Sequence, residues 1–288
     1  MELIQALKAY PALLYGTSAF FGLCVGSFLN VVIHRLPKML ERGWREECAE
    51  LAGQPLPHEP AYSLVVPRSA CPACGHRIRA WENVPILSWL VLGGKCSACG
   101  TGISLKYPLV EALAGLGAAY AAWRFGATVA ALGAALFIWF TIALAFIDQQ
   151  TGLLPDSLTL PLVWIGLLAN LVGAFVPLRD AVLGAVAGYL ALWLIFHGYR
   201  LLTGKEGMGY GDFKMNAAVG AFLGWKLLPL VILLSSLVGL FFGALQMFAK
   251  RGRWEAGFRF HFGPYLAIAA IVAMFWGESI LRWYLQRL

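Results

Sequence analysis

The chain has 288 residues, of which 60% are hydrophobic and 13% charged, with a mean hydropathy of +0.71. That balance excludes a soluble domain and places the chain in the membrane class. A formal net charge of +7 would suggest nucleic acid in a soluble protein; here it reads as charge that sets topology, and no nucleic-acid partner is expected.

A helix needs about 20 apolar residues to cross the hydrocarbon core. The first such run covers about 11–33. It is too long for the apolar core of a signal peptide, and no Ala-x-Ala site follows it, so it reads as a retained span. Gly26 and Ser27 suit close helix packing, and Asn30 asks for an interhelical hydrogen bond. Pro37 and the charges after it are expected to close the helix.

Residues 34–104 form the only large polar segment. Its first part, about 38–60, alternates acid and base and reads as a mobile or partly helical excursion. Seven further spans are read at about 105–124, 128–147, 157–176, 181–201, 213–225, 227–248 and 263–282. The fold expected is an all-α polytopic membrane protein with about eight transmembrane helices and a zinc-ribbon-like cytoplasmic insert. The expected divisions are a first span at 1–33, the insert at 34–104 and a seven-helix membrane domain at 105–288.

With the N-terminus outside, sixteen of the 22 Lys and Arg fall on inner segments and six on outer ones. The positive-inside rule favours that orientation. It puts the insert and two acids, Asp148 and Asp212, on the cytoplasmic side.

Within the insert, Cys71-x-x-Cys74 and Cys96-x-x-Cys99 are each followed by a glycine, Gly75 and Gly100. Two thiolates on one tight turn reach one ion, and two such turns complete a tetrahedral zinc site. Disulfides are the alternative, and they need an oxidising compartment. On the cytoplasmic side zinc is the better fit. Four sulfur ligands leave no open position, so the metal is expected to be structural. The apolar run Val84–Leu92 is too short to span and either lies on the membrane or packs on the metal loop.

Asp148 ends an apolar run, and Asp212 closes the glycine-spaced loop Gly207-Met208-Gly209-Tyr210-Gly211-Asp212. Ionisable groups at membrane depth are costly and mark function by default. Two carboxylates sharing a site cannot both ionise readily, which suits one as base and one as acid in peptide hydrolysis. Asp156, just before a helix, reads as an ordinary N-cap. The competing possibility is a transporter using Asp148 and Asp212 as proton or cation sites.

The ordered set of motifs resembles the type IV prepilin peptidases, bifunctional leader peptidases and N-methyltransferases of the GxGD aspartyl class. The matching stretches are Gly26-Ser27-Phe28-Leu29-Asn30, His34-Arg35-Leu36-Pro37, Cys71-Pro72-x-Cys74, Glu82-Asn83-x-Pro85, Gly94-Lys95-Cys96-x-x-Cys99, Tyr107-Pro108-x-x-Glu111, Asp148 with Leu154-Pro155-Asp156, and Gly207 to Asp212. The resemblance implies cleavage of the basic leader of prepilins and pseudopilins, after a glycine, at the cytoplasmic face of the bacterial inner membrane. It implies methylation of the new N-terminal residue from S-adenosylmethionine. The family's catalytic aspartates fall on Asp148 and Asp212, and methyl transfer belongs with the four-cysteine insert. Gly94 is the candidate cofactor-binding residue. Beyond substrates, the expected partner is membrane lipid. The family usually reads Pro-Phe-Gly-Pro where this chain has His261-Phe262-Gly263-Pro264; the histidine in place of proline leaves the role of that turn open and is read as touching neither aspartate.

Overall fold

The computed structural model describes residues 5, 7, 9–55, 60–249 and 261–287. Their regular elements are helices, joined by turns and loops, with two isolated β-bridges, and the chain divides into two compact units, residues 1–127 and 128–288.

In the first unit, α1 (Pro11–Leu51) starts with proline at its first turn, where the missing N–H costs nothing. Its 41 residues make a rod of about 60 Å, twice the hydrocarbon thickness. The helix therefore runs well past the apolar stretch. It does not close at Pro37, which lies inside it. Two anchors explain the continuation. Arg35 is buried, and its guanidinium donates to the carbonyls of Ser63 (2.9 Å) and Pro67 (2.6 Å). The Tyr62 ring lies 4.4 Å beneath the Arg42 guanidinium. The chain after the helix thus folds back onto α1 and holds residues 38–51 helical.

The membrane part of α1 packs against α3 (Lys106–Phe125) through small residues. A Cβ on Gly22 would meet the Ala114 carbonyl at 2.6 Å, and one on Gly26 would meet the Glu111 Cα at 2.6 Å. Among lipid tails burial gives little drive, so association rests on this close fit. Asn30 finds its expected partner, donating Nδ2 to the Tyr107 carbonyl at 3.1 Å. Between α1 and α3 lie the insert's short helices, a 3-10 turn (Ala80–Asn83) and α2 (Leu87–Val91).

The second unit holds α4 (Val129–Thr151), α5 (Asp156–Leu171), α6 (Leu178–Thr203), α7 (Tyr210–Leu223), α8 (Leu228–Ala249) and α9 (Gly263–Leu285). Thr128 caps α4, its hydroxyl accepting the Ala131 N–H at 3.3 Å. Gly152 and Gly204 end α4 and α6 in the left-handed conformation that glycine tolerates. At the centre lies α7, buried on all sides. The backbones of α6 and α7 nearly touch, since a Cβ on Gly220 would lie 2.0 Å from the Gly184 carbonyl oxygen. Phe137, Leu144, Leu162, Met215, Phe222 and Leu266 form the core around α7. Asn170 locks the far end of α5 to α7, donating to the Ala221 carbonyl at 2.8 Å.

Among the described residues, five stretches are long and apolar enough to cross a membrane: α1, α4, α6, Trp225–Leu245 and α9. α5 and α7 have only 16 and 14 residues. Each expected span has a helix over it, but these two are too short to cross about 30 Å upright, and α3, with 20 residues, is not among the five.

Candidate functional site

Asp148 lies in the last turn of α4 and Asp212 in the first turn of α7, with relative exposures of only 5% and 6%. Gly211, next to Asp212, packs on Leu154 in the turn that follows the helix of Asp148. Each carboxylate is held by a backbone donor at the start of a helix. Gly263, the first residue of α9, donates its N–H to Asp148 Oδ2 at 3.0 Å. Gly209, the N-cap of α7, donates to Asp212 Oδ2 at 3.2 Å. The first N–H groups of a helix have no partner within it and carry the positive end of its dipole, so they suit an acidic side chain. Asp212 Oδ1 is buried with no protein partner.

The glycines around the acids have separate uses. A Cβ on Gly211 would strike Leu154 Cβ at 2.6 Å, so the loop before Asp212 closes against the turn that follows α4. Gly207 lies against the Tyr199 ring. The His261–Pro264 turn reaches the site, which gives it a role that the sequence leaves open. Gly263 bonds Asp148, and the His261 ring stands beside Gly152, whose added Cβ would lie 3.6 Å from Nε2. No local spacing signals this, because the partners are 115 residues apart.

Asp156 is also reassigned. Pro155 is the N-cap of α5 and makes no side-chain cap. Asp156 instead takes Lys214 Nζ on both oxygens, at 2.6 and 2.7 Å. This pair joins α5 to α7 two residues beyond Asp212.

In the first unit the four cysteines converge. Their Sγ atoms all lie within 4.8 Å of one another, and Cys71 and Cys99 are 3.8 Å apart. Zn–S bonds of about 2.3 Å in a tetrahedron put sulfurs about 3.8 Å apart, so the donor set fits the ion. The two knuckles repeat one design. Antiparallel bridges Ala70–Arg77 and Lys95–Gly102 bracket them. Gly75 N–H bonds the Cys71 carbonyl and Gly100 N–H the Cys96 carbonyl, each at 2.9 Å. Both glycines have φ near +70°, the left-handed turn that follows the second cysteine.

The Val84–Leu92 run packs on the metal loop. Trp89 Nε1 donates to the Ile103 carbonyl at 3.1 Å, and its ring covers Gly94. Glu111 is buried in α3 and accepts the Ile86 N–H at 2.8 Å, which holds Ile86 at φ +60°. Glu82 binds both knuckles. Hydrogen bonds, first from the Arg79 N–H and then from Ser97, hold its carboxyl down at about 2.

Residues 20–125 match the bacterial peptidase A24 N-terminal domain, and residues 135–244 match the type IV leader peptidase family. Several curated relatives cover nearly the whole chain. A Pseudomonas aeruginosa protein is 52% identical over 287 residues, 99% of this chain and 98% of the relative. An Aeromonas salmonicida protein is 51% identical over 287 residues, again 99% and 98%. The chain belongs to the type IV leader peptidase family. Both relatives, and a 50% identical one from Stutzerimonas stutzeri covering 99% of each chain, bear the name prepilin leader peptidase/N-methyltransferase. No solved structure matches. The protein is therefore an enzyme of a peptidase family, and the transporter alternative falls away.

Proposed function

We propose that this peptidase removes the basic leader of type IV prepilins and pseudopilins after a glycine, at the cytoplasmic face of the bacterial inner membrane. It then methylates the new N-terminal residue using S-adenosylmethionine. The observation that carries the proteolytic half is the placement of Asp148 and Asp212 in one helical unit, both buried and each on a helix-terminal N–H.

Asp148 and Asp212 are the proposed catalytic pair. One carboxylate takes a proton from water as its oxygen bonds the scissile carbonyl carbon, while the protonated partner gives its proton to the carbonyl oxygen. Collapse of that adduct breaks the C–N bond, and the departing amine takes up a proton. The pair shares one proton and titrates as a unit. The Gly209 and Gly263 N–H groups fix one oxygen of each acid, and Asp212 Oδ1 is left for the water.

Cys71, Cys74, Cys96 and Cys99 are proposed to hold a structural zinc that keeps the insert folded. S-adenosylmethionine supplies an electrophilic methyl group when bound, and the acceptor is the lone pair of the newly released amine. Gly94 contributes through shape, because its missing side chain lets the Trp89 indole lie on the backbone beside Cys96. The sixteen inner basic residues support the cytoplasmic orientation.

Co-expression with a prepilin, followed by mass spectrometry of the mature N-terminus, tests both reactions at once. The expected product lacks its leader and carries one added methyl group. An intact leader would overturn the proteolytic assignment, and a cleaved but unmethylated terminus the second activity.

A further inference from the structure

Glu82 lies between the knuckles, eight residues after Cys74 and fourteen before Cys96. An acid in a polar loop is ordinarily solvated. This side chain is only 5% exposed. A carboxylate taken that far from water must find donors, and the donors here come from three places. The Arg79 N–H reaches Oε2 at 2.7 Å and closes the local 3-10 turn. The Ser97 hydroxyl donates to Oε1 at 2.6 Å. His76 Nε2 stands 3.2 Å from Oε2, where its N–H donates.

The local turn needs only the first of these. The other two join parts of the insert that are distant in sequence. Ser97 directly follows Cys96, the first ligand of the second knuckle. His76 follows the first knuckle, and its carbonyl accepts the Cys71 N–H at 2.9 Å. One carboxylate thus has an arm on each Cys-x-x-Cys turn. Ser97 Oγ and His76 Nε2 also meet each other at 3.4 Å, which closes a three-membered polar cluster.

We propose that Glu82 is the positioning residue of the four-cysteine centre, tying the two knuckles together at the spacing one tetrahedral metal ion requires. This rests on the assignment of the cysteines as zinc ligands. The carboxylate is bonded to Arg79, Ser97 and His76, and so acts through the two turns and not as a ligand. Two halves already held together lose less conformational freedom when the ion binds, so the clamp appears as metal affinity. Groups outside the ligand set typically change affinity by about 10- to 100-fold when removed.

The test uses the full chain in detergent, stripped of metal and titrated with zinc against a chromophoric chelator. Cobalt serves as a second probe, because its absorption reports tetrahedral thiolate ligation. Glu82→Ala is expected to weaken zinc binding by about 10- to 100-fold. At saturating cobalt it should still give the wild-type spectrum, since all four sulfurs remain. Ser97→Ala removes one hydroxyl with little risk to folding and is expected to weaken binding by a smaller factor. The double variant should bind no more weakly than Glu82→Ala alone, because Ser97 acts through Glu82. Wild-type affinity in either single variant, or losses that simply multiply in the double variant, would overturn the clamp. A wild-type protein that takes up no zinc, like Cys71→Ser, would overturn the zinc assignment itself, a separate and distinguishable result.

Discussion

Gly263 donates its N–H to Asp148 Oδ2 at 3.0 Å, and a Cβ built on this glycine would lie 2.7 Å from that same oxygen. The start of α9 is thus shaped around a carboxylate at the end of α4. Gly263→Ala should push the Asp148 side chain away from its donor. A displacement of this size costs on the order of 10²-fold in rate. The loss is expected in kcat more than in KM, measured on a purified prepilin.

Asp156 is the third acid near the pair, and its surroundings set it apart. Its side chain is 56% exposed and paired with Lys214, itself 28% exposed. Ion pairs in such positions contribute about 0–1 kcal/mol. Asp156→Asn is therefore expected to lower the melting temperature only slightly and to keep cleavage within about tenfold of wild type. A collapse of activity equal to that of the buried acids would mean Asp156 is misassigned here.

The seam between α6 and α7 is expected to be the most sensitive packing contact in the second unit. Gly184 and Gly220 approach so closely that an added Cβ on Gly220 would lie 2.0 Å from the other backbone. Gly220→Leu should separate the helices and destabilise the protein by about 3 kcal/mol or more. Gly16 in α1 meets nothing within 4 Å. Gly16→Ala serves as the control and should leave thermal unfolding in detergent unchanged.

Gly94 tests the division of labour between the two units. Its φ is +67°, and an added Cβ would lie 2.8 Å from the Trp89 ring. Gly94→Ala should displace that indole and abolish N-methylation. Leader cleavage, which depends on residues of the other unit, should persist. Mass spectrometry of the mature substrate distinguishes the two effects.

What was legible in the sequence was what local spacing encodes. The apolar runs gave the helices, the paired knuckles gave the convergence of four sulfurs, and Asn30 announced its interhelical bond. The α6–α7 seam has a readable signal too, since Gly184 and Gly188 of α6 repeat the small-residue spacing of Gly22 and Gly26. What could not be read depends on tertiary contact. Pro37 reads locally as a stop, and only the docking of Ser63, Pro67 and Tyr62 onto Arg35 and Arg42 shows why α1 continues. Asp156 has the local pattern of a cap, and its actual partner, Lys214, is 58 residues away. Gly263 looked remote from Asp148 because 115 residues separate them.

The most direct measurement is the cleavage rate of purified Asp148→Asn, Asp212→Asn and the double variant on one prepilin. Two acids that hold a single water act as a unit, so each single change should cost several orders of magnitude, and the double variant should be no slower than the worse single one. A wild-type rate in either single variant would contradict the shared-water site.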